Sequence, residues 1–107
     1  MKVSPVLTWF DVAADGELAP GQMKRVAPTG RALLLVNAEG EHFCVDELCS
    51  HEDYSLWFGC VKGRSLKCSL HGSYFDLASG AALNEPADCP LKTWPVKVEA
   101  GRVWVEA

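Results

Sequence analysis

The chain has 107 residues, 49% of them apolar and 22% charged, which describes one folded globular domain and excludes a disordered one. A net charge of −4 argues against nucleic-acid binding. No apolar run is long enough to cross a bilayer, and Met1–Trp9 lacks the pattern of a secretory leader, so a cytoplasmic, reducing location is expected.

Glycine and proline interrupt the chain at short intervals, and no segment carries a helical apolar stripe, so the expected class is all-β with short strands. In chain order, the expected strands are 8–11, 22–26, 32–37, 42–46, 65–67, 74–76, 93–99 and 102–106. Leu33-Leu34-Leu35-Val36 reads as a central strand, and Asn37-Ala38-Glu39-Gly40 as a hairpin turn out of it. Residues 54–59 are expected to make at most one helical turn. Val96, Val98, Val103 and Val105 are expected to share a buried face across a second hairpin at Ala100-Gly101.

Two motifs carry chemistry. Cys49-Ser50-His51 and Cys68-Ser69-Leu70-His71 each supply one thiolate and one imidazole, with 16 residues between them. Two Cys and two His in this order can hold a two-iron, two-sulfur centre whose irons differ in ligation, which raises its potential above that of an all-cysteine cluster. Tetrahedral zinc is the chemical rival. Structural zinc sites more often use paired Cys and paired His, not two mixed pairs. Of the other cysteines, Cys44, Cys60 and Cys89 read as small buried hydrophobes, and His42 as structural or solvent-facing.

These motifs resemble the C-x-H … C-x-x-H pattern of the Rieske family. The resemblance extends to Leu56, Gly59, Phe75-Asp76, Gly80, Pro86, Leu91 and the Val-rich C-terminal strands. Within the family the chain looks most like the small ferredoxins that serve bacterial ring-hydroxylating oxygenases. The resemblance implies a Rieske-type fold of antiparallel sheets over residues 1–107, with a small cluster-binding subdomain inserted at about 45–86. It implies one [2Fe–2S] cluster, with Cys49 and Cys68 on the inner iron and His51 and His71 on the outer one. Gly72 is expected to permit a close turn beside the cluster.

The departures from the family pattern also carry information. High-potential Rieske proteins have an extra disulfide between the cluster loops, and Tyr54 and Leu70 stand at those positions here. They also use a Ser and a Tyr hydroxyl as donors to sulfur. Ser73 is present, but Phe75 replaces the Tyr. Hydrogen bonds to sulfur raise potential, so a low-potential centre is expected, lifted slightly by Ser73.

The resemblance implies a one-electron carrier, not an enzyme, between an NAD(P)H-dependent flavin reductase and a terminal oxygenase of aromatic catabolism. A docking rim is expected from Glu52, Asp53, Leu70 and Pro86, with Glu47 adding negative charge and Leu56, Trp57 and Phe58 either joining it or covering the cluster and the subdomain core. A stand-alone oxygenase would need two further His and a carboxylate for a mononuclear iron. With His51 and His71 assigned to the cluster, only His42 is left. The alternative is the small subunit of another reductase, such as a nitrite reductase.

Overall fold

The computed structural model describes residues 8–48, 54–69, 72–83 and 90–107. Strands β1 (Trp9–Ala14), β2 (Met23–Val26), β3 (Leu33–Ala38) and β4 (Glu41–Asp46) come first. A 3₁₀ turn (Leu56–Phe58) precedes β5 (Cys60–Lys62), β6 (Ser65–Lys67) and β7 (Tyr74–Asp76). Then follow β8 (Thr93–Trp94), β9 (Val96–Glu99) and β10 (Arg102–Glu106). They form three antiparallel sheets, ordered β1-β10-β9, β2-β3-β4-β8 and β5-β6-β7. The all-β class is as expected.

The central sheet owes its place to β3. Leu33 and Leu35 face one apolar cluster with Ala13, Leu18, Cys44, Val103 and Val105. Leu34 and Val36 face another with Phe43, Val45, Leu56, Leu66, Cys68 and Phe75. Both faces of β3 are covered, so an uninterrupted apolar run is the pattern that fits. Each such side chain contributes roughly 2 kcal/mol on full burial. The four-stranded sheet thus lies between the terminal sheet and the β5–β7 sheet.

Two tight hairpins fix the register. Glu39 and Gly40 have φ of 54° and 87°, and Ala100 and Gly101 have 52° and 74°, the left-handed pairs of type I′ turns. Asn37 secures the first: its Oδ1 accepts from the Gly40 amide at 3.0 Å, and its Nδ2 donates to the Leu18 carbonyl at 2.8 Å.

Four sequence expectations need correction. The single strand at 93–99 is two strands, because Pro95 lacks an amide donor and the chain changes sheets there. Val98 points to the same face as its partner Val103, but on edge strand β9 it is not covered and is 48% exposed, while Val103 and Val105 are buried. Strand β5 was not expected, since it is three residues long and turns only Val61 inward. Cys44 is buried as expected, but Cys60, on β5, is exposed. His42 is half-buried, and its Nε2 is buried without a partner among the described residues.

Candidate metal centre

Cys68 follows β6 directly and belongs to the apolar cluster beneath the β5–β7 sheet, with only 2% of its surface exposed. Its amide donates to the Ser73 carbonyl at 2.8 Å, and its carbonyl accepts from the Gly72 amide at 2.9 Å. The bases of this segment are therefore joined by two backbone bonds. Gly72 takes φ +72°, while a Cβ there would meet only the Lys67 Cε at 3.8 Å. Its glycine is required by the dihedral and not by crowding, which refines the expected close approach. Ser73 is 1% exposed, and Phe75 is fully buried opposite Leu66. Asp76 does not face the same task. Its carboxylate sits below the usual range because the Ser79 hydroxyl and amide donate to it, closing the turn after β7.

The first motif is framed just as closely. Leu48 and Ser55, which flank residues 49–54, form an isolated antiparallel bridge. Ser55 caps the 3₁₀ turn, accepting from the Trp57 amide at 3.2 Å. Leu56 is wholly buried and serves as core, whereas Trp57 and Phe58 are 38% and 60% exposed. Glu47 does not stand as free negative charge. Its side chain accepts from the Ser55 hydroxyl at 2.6 Å and pairs with Arg25 at 3.4 Å.

The end of this turn reaches the residue before the second motif. A Cβ on Gly59 would overlap the carbonyl oxygen of Lys67, the residue before Cys68. Phe58, Gly59, Lys67 and Ser69 line one cleft of about 220 Å³. Cys49, His51, His71, Glu52, Asp53, Leu70, Pro86 and Cys89 lie outside the described residues. Sequence reasoning passed over Ser55 and the pinning of Glu47. The only available signal was a serine two residues ahead of a buried turn.

A buried thiol on a tight, positive-φ turn suits a metal–sulfur group, and two thiolates with two imidazoles are the donors a mixed-ligand cluster requires. Three stacked antiparallel sheets that carry such a donor set describe a small all-β iron–sulfur domain. The sequence profile of the Rieske [2Fe-2S] domain matches residues 8–95, and the chain belongs to this family. One Rieske-type [2Fe–2S] cluster is its cofactor.

The chain is 37% identical over 98 residues to the ferredoxin component of the naphthalene 1,2-dioxygenase system of Pseudomonas aeruginosa. That match covers 92% of this chain and 94% of the relative. Its structure is similar to the Sphingomonas yanoikuyae B1 ferredoxin, with a TM-score of 0.85 and 32% identity over 94% of this chain and 99% of that one. It is also similar to a chain in the complex of reduced oxygenase and oxidised ferredoxin of carbazole 1,9a-dioxygenase. There the TM-score is 0.86 and the identity 28%, covering 92% of each chain. No helix among the described residues is long and apolar enough to cross a membrane.

Proposed function

We propose that this chain is the ferredoxin of a multicomponent dioxygenase system, a one-electron carrier and not itself the enzyme. Its reductant is an NAD(P)H-dependent flavin reductase, its acceptor is a terminal Rieske non-haem iron oxygenase acting on aromatic compounds, and its location is the cytoplasm. The observation that carries this reading is the match to a dioxygenase ferredoxin over 94% of that relative's length. The same match favours a free shuttle over the fixed small subunit of a nitrite reductase.

Cys49 and Cys68 hold the inner iron in this reading, and His51 and His71 the outer one. The cluster-binding subdomain spans about 45–86. The bound cluster supplies reversible one-electron chemistry. The chain's own residues do the rest. Cys68 offers a thiolate from inside the apolar core, where water is excluded, and the Ser73–Cys68–Gly72 backbone bonds hold it in place. Phe75 offers no hydroxyl to sulfur, which keeps the potential low. Glu52, Asp53, Leu70 and Pro86 form the docking rim, for which a small, weak interface suffices.

The test is an EPR spectrum of the purified protein before and after anaerobic dithionite reduction, with iron and zinc analysis and a midpoint titration. A Rieske-type signal at low potential is expected. A signal at high potential would overturn the reading of Phe75. Zinc in place of iron, with no signal, would end the carrier assignment.

A further inference from the structure

Glu47 holds the frame of the first motif twice. Its carbonyl accepts from the Leu56 amide at 2.7 Å. Its carboxylate Oε2 accepts from the Ser55 hydroxyl at 2.6 Å. The Ser55 oxygen accepts in turn from the Trp57 amide, so side chain and backbone together define the entry to the turn. Arg25 reaches the same carboxylate oxygen through Nε, and its guanidinium lies 5.1 Å from the Trp57 ring centre and 5.6 Å from that of Phe58. Only 14% of the Glu47 side chain is exposed, against 48% for Arg25.

The two contacts of the carboxylate differ in weight. An ion pair with a half-exposed arginine at 3.4 Å is screened by water and worth little. A short hydroxyl–carboxylate bond to a part-buried side chain is charge-assisted and directional. Losing its acceptor leaves Ser55 without the partner that orients it toward the Trp57 amide.

The far end of this turn leads to the second motif. Gly59 packs against the Lys67 carbonyl, and Lys67 precedes Cys68. Contacts therefore run without a gap from Glu47 through Ser55 and the 3₁₀ turn to Gly59 and Lys67. The backbone on either side of the first Cys/His motif and on the near side of the second belongs to this one path.

We propose that Glu47 is a positioning residue for the cluster. Its carboxylate, acting through Ser55, sets the turn from Ser55 to Gly59 and with it the separation of the two ligand-bearing segments. The proposal rests on the assignment of Cys49, His51, Cys68 and His71 as ligands. The operative contact is the hydrogen bond to Ser55 and not the charge.

The experiment compares Glu47→Ala, Ser55→Ala and Glu47→Gln as purified holoproteins, with Cys49→Ser alongside. The readouts are the g-values and linewidths of the dithionite-reduced cluster, and the rate of cluster loss followed by visible absorbance. Both alanine variants are expected to shift and broaden the g-values and to lose cluster about ten-fold faster than the parent. Glu47→Gln keeps an oxygen to accept from Ser55 and is expected to restore the parental spectrum. Ser55→Ala removes only a hydroxyl, so it reports even if Glu47→Ala fails to fold.

Parental g-values and loss rates in Ser55→Ala would overturn the proposal, and a Glu47→Gln variant that behaves like Glu47→Ala would overturn its hydrogen-bond basis. If Cys49→Ser loses the cluster while the alanine variants match the parent, the positioning role alone is refuted. If Cys49→Ser keeps a parental signal, the ligand assignment fails and the proposal falls with it.

Discussion

Gly59 sits so close to Lys67 that a β-carbon on the glycine would overlap the lysine's carbonyl oxygen. The obstacle is backbone in a paired strand, because Lys67 also pairs with Cys60 across the β5–β6 ladder. It cannot swing aside as a flexible side chain would. Gly59→Ala is therefore expected to cost about 3 kcal/mol through forced backbone displacement. A thermal melt of the holoprotein should show a fall in Tm of more than about 10 °C. A melt within 2 °C of the parent, taking about that as measurement error, would mean the strand yields freely.

Ser73 and Phe75 set opposite expectations for potential. Ser73 is buried one residue past Gly72, and Phe75 is buried two residues further on. Removing a hydroxyl donor to sulfur costs the reduced state about 1 kcal/mol, or roughly 40 mV for a one-electron couple. Ser73→Ala should lower the midpoint by that order, and Phe75→Tyr should raise it. Spectroelectrochemical titration of both variants checks the pair. An unchanged midpoint in Ser73→Ala would remove Ser73 from the account.

The cysteines of β4 and β5 should differ sharply in reactivity. Burial pushes the Cys44 thiol up to about 12, with Asp46 adding to the effect, whereas Cys60 is exposed. The thiolate is the nucleophile. At pH 8 iodoacetamide should modify Cys60 and spare Cys44, as peptide mass mapping would reveal. The same shift has a stability consequence. The unfolded chain would ionise Cys44 near its ordinary value of 9.0, and the folded chain only near 12. The stabilisation is complete below pH 9 and is lost as pH rises toward 12, by at most about 4 kcal/mol. Cys44→Ala should flatten that part of the alkaline stability profile.

Ala100 adopts φ +52° at the first position of the β9–β10 hairpin turn. A left-handed conformation costs alanine about 1 kcal/mol, and asparagine tolerates it better. Ala100→Asn creates the Asn-Gly pair that type I′ turns favour. The substitution should raise stability by about 0.5–1 kcal/mol in a denaturant titration. A lower midpoint would show that this hairpin is held by β1 pairing and not by its turn.

Much of this molecule was legible before folding was considered. The run Leu33–Val36 announced a strand covered on both faces because no polar residue interrupts it. Asn37 and Gly40 announced the turn because their chemistry is local: an amide side chain caps it and a glycine tolerates positive φ. The four Cys and His residues pointed to the proposed donor set because ligand chemistry depends on residue type and spacing, although Cys49, His51 and His71 lie outside the described residues. The family followed from the same letters.

Other features belonged to the tertiary structure alone. Pro95 divides two strands between two sheets, but which sheet takes each half depends on where Cys44 and Val105 lie. Val98 and Val103 look alike in the alternating pattern, and only the strand order leaves one at an edge and the other covered. Glu47 reads as a surface charge beside a metal motif. Its bond to Ser55, eight residues away, exists because the chain returns on itself between Leu48 and Ser55. Residue type determined what could bind the cluster. Long-range packing decided which residues beside the two motifs meet, because contacts such as Gly59 on Lys67 join positions whose sequence neighbours give no sign of it.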